Sequence, residues 1–135
     1  MIPFLDTNVI LRHVLDDHPD HSPRATALIL ALDRGDRSVH ISATVVFEVV
    51  FTLEKRYRRS RADILNTVLP IIELPSVLLP DKEICGEVFD RWLAEPSLSF
   101  ADSYHLSLAK SLGLTEIISF DRKIEKDPAI RRVEP

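Results

Sequence analysis

The chain has 135 residues, 45% hydrophobic and 28% charged, which are ordinary values for a globular protein and predict a single domain over residues 1–135. The formal net charge of −4 argues against a protein that binds nucleic acid through a large basic surface. A single cysteine, Cys85, excludes an intramolecular disulfide and a cysteine-based zinc site. No apolar run approaches the roughly 20 residues that span a bilayer. We therefore expect a cytoplasmic protein without a membrane partner.

Short apolar strands and amphipathic helices alternate in the first part of the chain. Residues 43–58 are locally ambiguous, because Val and Phe favour strands, but the segment is too long for an ordinary strand and predicts a helix. Thr7 or Asn8 is expected to cap the first helix. The predicted elements are a strand at 2–5, a helix within 6–15, a helix at 23–34 that ends at Gly35, a strand at 38–42 and the helix at 43–58.

The second part continues the alternation. Asp81 is expected to cap a helix whose apolar side holds Ile84, Val88, Trp92 and Leu93. The other predicted elements are a helix at 61–73, a strand at 75–80, a helix at 101–113 that ends at Gly113, a strand at 115–119 and a short strand at 130–134. Strands that alternate with helices predict a parallel sheet covered by helices on both faces.

Four acidic residues lie close to the predicted strand ends. Asp6 ends the first strand, Asp121 follows the strand at 115–119, Asp102 opens a helix, and Glu48 lies one to two turns into the helix after the strand at 38–42. Ligands of such sheets bind outside the carboxyl ends of the strands. We therefore expect the four acids at one edge of the sheet, which gives Glu48 a function in an otherwise apolar run.

A cluster of carboxylates is costly without a cation. Two like charges about 4 Å apart repel by roughly 4 kcal/mol at an effective dielectric constant near 20. Ligands that are all oxygen suit Mg²⁺ or Mn²⁺. Such an ion lowers the pKa of a bound water and offsets charge on a phosphate oxygen, while a neighbouring carboxylate accepts the proton. This chemistry favours hydrolysis of a phosphodiester.

Four segments carry a family resemblance, and their order and spacing agree over nearly the whole chain. They are "FLDTNVIL", "FEVVFTL", "SFADSYHLSLAKSLGL" and "IISFDRK". With these segments the chain resembles PIN domains, and more narrowly the VapC-type toxins of type II toxin–antitoxin pairs. The resemblance implies a three-layer α/β/α fold with a central, mainly parallel sheet of four to five strands.

The resemblance also implies a Mg²⁺- or Mn²⁺-dependent endoribonuclease whose catalytic residues are Asp6, Glu48, Asp102 and Asp121. Within this set, Asp6 and Asp102 are expected to bind the metal. Thr7, Asn8 and Ser119 occupy polar positions that are expected to orient the carboxylates. The implied partners are an RNA substrate, a cognate antitoxin protein and a second copy of the chain in a homodimer.

Structural alternatives exist for each acid. Asp6 and Asp102 are also suited to capping a helix, Glu48 to a structural ion pair and Asp121 to a turn. The alternative function is a catalytically silent module that binds RNA or protein. A basic run, "KRYRRSR" at 55–61, indicates either a solvated helix end or an RNA contact, and its Tyr57 has a ring that can stack on a base.

Overall fold

The computed structural model describes residues 1–135, which form two compact units, Met1–Lys82 and Glu83–Pro135. The first unit contains the helices α1 (Thr7–Leu15), α2 (His21–Asp33), α3 (Ala43–Phe51) and α4 (Arg61–Ile72) and the strands β1 (Val39–His40) and β2 (Val77–Leu78). The second contains α5 (Cys85–Ala94), α6 (Phe100–Ser111), β3 (Glu116–Ile118) and β4 (Arg131–Val133).

The sheet of the first unit is small and parallel. β1 pairs with β2, with Val39 opposite Val77. The predicted strand at 2–5 contributes only one parallel bridge, between Phe4 and His40. Two backbone hydrogen bonds of 2.8 Å fix it, since the Leu5 N–H donates to the His40 carbonyl and the His40 N–H donates to the Pro3 carbonyl. Pro3 has no N–H to extend the ladder, which keeps this segment short.

Helix α3 confirms that length, rather than local propensity, decides the structure of residues 43–58. Ser42 caps it, because its side chain accepts a hydrogen bond from the Val45 N–H. Buried valines at 45, 46, 49 and 50 fix its inner face. The helix continues into a π-helical turn, Thr52–Arg56, so the helical segment extends almost to the predicted end at residue 58.

The second unit confirms the predicted order of helix, helix, strand and strand. β3 and β4 pair in parallel, with Ile117 opposite Arg132. Helix α6 ends just before Gly113, whose φ of +74° is the left-handed conformation that favours glycine at a helix end. A core cluster of Leu98, Leu106, Ala109, Ile124 and Ile130 packs beneath these elements.

Two predictions about α5 are wrong in detail. Asp81 does not cap the helix, because it adopts a left-handed φ of +58° and a 3₁₀ turn, Lys82–Ile84, precedes α5. Leu93 is exposed, whereas Phe89 is buried at 0% exposure beside Trp92. Val88, Phe89 and Trp92 form the buried face of α5, and Leu93 lies next to the last residue of the helix, where it is exposed.

The structure shows two parallel strand pairs, β1–β2 and β3–β4, and not the expected sheet of four to five strands. The strands are only two or three residues long, so each pair forms few ladder hydrogen bonds. The α/β class and the parallel pairing are confirmed, and the three-layer arrangement remains a prediction. The structure has no helix that combines the length and apolar character needed to cross a membrane.

Candidate catalytic carboxylates

Asp6 lies at the start of α1, where it is the N-cap of the helix. Its extended backbone (φ −79°, ψ 148°) is typical of a cap, and Oδ2 accepts a hydrogen bond of 3.4 Å from the Asn8 N–H. The prediction that Thr7 or Asn8 caps this helix is therefore wrong, because the helix begins one residue earlier. A hydrogen bond of 3.4 Å is weak. The exposed carboxylate of Asp6 thus keeps lone pairs for another ligand.

Glu48 is exposed, although the run around it is apolar. The Thr7 hydroxyl, which is buried, donates a hydrogen bond of 2.9 Å to Glu48 Oε2 across 41 residues of sequence. This bond fixes Glu48 beside Thr7 at the start of α1. Glu48 forms no ion pair, so the structural alternative for this residue is wrong. The side chain is held by a neutral donor and forms no direct ion pair with a protein cation.

Thr7 and Glu48, joined by this hydrogen bond, line a pocket of about 270 Å³ within the first unit. Asn8 lines the same pocket, and so do the guanidinium-bearing side chains of Arg12 and Arg56. Two of the predicted polar positions, Thr7 and Asn8, therefore lie around Glu48. Arg12 is not among the residues predicted from the sequence. It lies four residues after Asn8, on the same side of α1, and this spacing is the only signal that could have indicated it.

Asp102 lies in the first turn of α6, as predicted, but it is not the N-cap. Ser99 caps the helix, and a reciprocal pair of hydrogen bonds joins the two residues: the Asp102 N–H donates to Ser99 Oγ at 3.0 Å and the Ser99 N–H donates to Asp102 Oδ2 at 3.1 Å. This capping box satisfies two N–H groups of the helix end. It occupies Oδ2 of Asp102 and leaves Oδ1 without a hydrogen bond.

Asp121 and Ser119 lie together in the turn after β3. The Asp121 N–H donates to Ser119 Oγ at 2.9 Å, and Asp121 Oδ1 accepts from the Lys123 N–H at 3.0 Å. Arg132 from β4 donates to the Ser119 carbonyl at 2.9 Å and so holds this turn. The interpretation of Asp121 as a turn residue is therefore confirmed, because its Oδ1 accepts a hydrogen bond within the turn. Its carboxylate is exposed, and Oδ2 takes no part in the turn.

The four acids divide equally, with Asp6 and Glu48 in the first unit and Asp102 and Asp121 in the second. Within either unit, no three His, Cys, Asp or Glu side chains gather into a group that could hold a metal ion. The donor chemistry nevertheless fits a hard divalent cation, because each acid offers at least one carboxylate oxygen that no helix cap or turn uses.

One acid outside the predicted set, Asp127, has a pKa that its surroundings shift. Asp127 in the second unit is buried, and Arg91 donates to its Oδ2 at 2.7 Å. Burial by itself would raise the pKa of Asp127, but the hydrogen bond from the Ala129 N–H and the contact with Arg91 outweigh it and hold the pKa below the ordinary 3.8. Asp127 therefore forms a structural ion pair with Arg91 and is not a catalytic candidate.

Residues 4–128 match the PIN domain family, a stretch that runs through both units. The chain belongs to the PIN domain family, whose members are generally metal-dependent nucleases. None of the curated proteins matches it.

Proposed function

We propose that the protein is a Mg²⁺- or Mn²⁺-dependent endoribonuclease that hydrolyses RNA phosphodiester bonds. The observation that carries the proposal is the state of Glu48. An exposed carboxylate in an apolar helix, fixed by a buried hydroxyl and in no ion pair, is suited to a bound metal or to a reacting water. Membership of a family of metal-dependent nucleases supports the same function.

In this proposal Asp6 and Asp102 would hold the metal ion, which would supply the acidification of a water molecule and offset charge on the scissile phosphate. The capping box restricts the Asp102 carboxylate to few rotamers, so little of its side-chain entropy would be lost when an ion binds. Glu48 accepts the proton of the attacking water, and the Thr7 hydroxyl holds it in place. Asp121 completes the acidic set, with Ser119 fixing its turn and Asn8 supporting Asp6.

We further propose the biological setting that the resemblance to VapC-type toxins implies. The protein would act in the cytoplasm, form a homodimer and be held inactive by a cognate antitoxin. An acidic site attracts a Lys or Arg side chain, so a basic segment of the antitoxin is the expected inhibitor.

Cleavage by an Asp6→Asn variant tests the catalytic proposal most simply. Asn is as good an N-cap as Asp, so α1 keeps its start while one metal-binding charge disappears. Asp102→Asn is the matched second variant, because its amide oxygen still accepts from the Ser99 N–H. With labelled single-stranded RNA and Mn²⁺, we expect cleavage by the parent, none in EDTA, and a loss of at least about 100-fold in either variant.

Asp90→Asn is the control, since Asp90 is an exposed acid of α5 outside the proposed set. It should cleave at the parent rate. Asp6→Asn or Asp102→Asn protein that is folded and cleaves as fast as the parent would contradict the assignment. A parent that binds RNA but does not cleave it with any divalent ion would favour the alternative, a catalytically silent binding module.

A further inference from the structure

The pocket beside Glu48 has a composition that the cleavage chemistry does not require. It encloses about 270 Å³, which is near the lower end of small-ligand pockets and admits one flat group. Two aromatic rings, Phe51 and Tyr57, and two cationic side chains, Arg12 and Arg56, line it together with Glu48.

The π-helical turn after α3 determines which side chains reach this pocket. Glu48, Phe51 and Thr52 share one face of a regular helix, and Lys55, seven residues after Glu48, would continue that face. The turn at Thr52–Arg56 is wider, with the Tyr57 N–H donating to the Thr52 carbonyl five residues earlier at 3.2 Å. The pocket is consequently lined by Arg56 and Tyr57 and not by Lys55.

The aromatic side chains of the pocket are accessible to a ligand. Phe51 is 64% exposed and Tyr57 is 39% exposed, so a ligand can reach both rings. The Arg56 guanidinium carbon lies 5.8 Å from the centroid of the Tyr57 ring, a cation–π contact that orients both groups. Stacking rings beside guanidinium groups are the combination with which proteins hold single-stranded nucleic acid.

A second pocket extends this surface. It has a volume of about 520 Å³ and shares Asn8 and Arg12 with the first, while Arg24 and His21 line its far side. The arginines are paired only with exposed aspartates, Arg12 with Asp17 at 3.0 Å and Arg24 with Asp20 at 3.4 Å. Exposed ion pairs of this kind are weak, so a phosphate can displace either aspartate.

We propose that the smaller pocket binds one unpaired base of the RNA, stacked on Tyr57 and Phe51, and that Arg56 and Arg12 hold the adjoining phosphates. The backbone then follows Arg12 toward Arg24 in the larger pocket. This inference rests on the proposed ribonuclease function. It requires that the substrate be single-stranded beside the cut. The basic run at 55–61 thereby acquires an RNA contact, through Arg56 and Tyr57.

Binding without cleavage separates this inference from the catalytic proposal. The probe is a fluorescein-labelled single-stranded RNA, with the same sequence annealed as a duplex for comparison. Both are titrated with the full chain in EDTA at constant salt, and the anisotropy is recorded. We expect Tyr57→Ala to weaken single-strand binding by about tenfold or more and Tyr57→Phe to keep it within about twofold. Duplex binding should be weaker and the same for both variants.

Matched charge variants complete the experiment. Arg56→Ala and Lys55→Ala each remove one cation from the same turn, but only Arg56 lines the pocket, so Arg56→Ala should weaken binding several-fold more. Asp90→Asn, which removes an exposed acid outside the proposed cleavage site and the pocket, should bind like the parent. The inference is overturned if Tyr57→Ala and Arg56→Ala bind the single strand like the parent. It is also overturned if Tyr57→Ala changes only the oligomeric state in sedimentation, because the pocket is then a protein contact.

Discussion

Glu48 in the first unit and Asp127 in the second differ in burial and in the partners of their carboxylates. Asp127 is buried and is satisfied by Arg91 at 2.7 Å and by the Ala129 N–H at 2.8 Å. Glu48 is exposed and receives one hydrogen bond, from a neutral hydroxyl. The first is a carboxylate whose charge the fold neutralises. The second keeps its charge available, although the sequence around it is more apolar.

The partners of an acid therefore indicate its role better than the sequence around it does. A buried ion pair is retained only when both charges are satisfied, because an unpaired buried charge costs several kcal/mol. Asp127 meets that condition and its lowered pKa reflects it. Glu48 avoids the cost by facing solvent, which leaves its carboxylate free for chemistry.

The largest expected effect is a loss of stability when the carboxylate of Asp127 is removed, compared with removal of the carboxylate of Glu48. Asp127→Ala removes the more buried of the two carboxylates that pair with Arg91, whose side chain is only 14% exposed, and leaves it Glu87 at 2.8 Å. We expect a loss of about 2 kcal/mol in the free energy of unfolding, measured by urea denaturation. Glu48→Ala should cost less than about 1 kcal/mol. Equal losses in the two variants would show that Glu48 is a structural residue like Asp127.

A smaller effect is expected at the hydroxyl that holds Glu48. Thr7→Val keeps the shape of the side chain but removes the donor to Oε2, so we expect a loss of about 1 kcal/mol in the free energy of unfolding. The same change should slow cleavage more than it affects RNA binding, because it releases the proposed proton acceptor. Thr7→Ser retains the donor and is the control; identical cleavage rates in the two variants would exclude a positioning role for the hydroxyl.

The smallest expected effect is a difference in acid sensitivity between the units. Burial between α1 and α2 lowers the pKa of His13 below 6.5, by more than the Asp16 carboxylate raises it. The unfolded chain therefore binds this proton first, and stability falls as the pH drops below about 6.5 toward the native pKa. The Asp127 contribution persists to lower pH, because it is lost only below 3.8.

His13→Asn is the variant that measures this difference, since its amide oxygen can accept from the Thr26 hydroxyl that contacts His13 Nδ1 at 2.8 Å. Thermal melting between pH 7 and pH 5 should show a flatter decline in melting temperature for His13→Asn than for the parent. Parallel declines would show that His13 does not contribute to the acid sensitivity.

Patterns of local origin were predictable from the sequence. The helix at 43–58, the glycine ends near Gly35 and Gly113 and the parallel pairing of strands follow from period, length and backbone preference. The positions of Asp6 and Asp102 at helix starts were also predictable, but their capping contacts were not, because the residue that caps depends on where the first turn closes.

Features that depend on distant residues were not predictable. The Thr7–Glu48 hydrogen bond spans 41 residues and the Arg91–Asp127 pair spans 36, and no local pattern marks either. The π turn that brings Arg56 and Tyr57 to the pocket depends on hydrogen bonds to Thr52 and Leu53 that helix periodicity does not reveal.

Thermal melting with Mn²⁺ tests most directly whether the available carboxylates bind a divalent cation. Since an ion that binds only the folded protein stabilises it, millimolar Mn²⁺ should raise the melting temperature of the parent by a few degrees. Asp6→Asn, which keeps its helix cap, should show little or no rise. An unchanged melting temperature of the parent, or an equal rise in Asp6→Asn, would contradict metal binding at Asp6 and with it the proposed nuclease site.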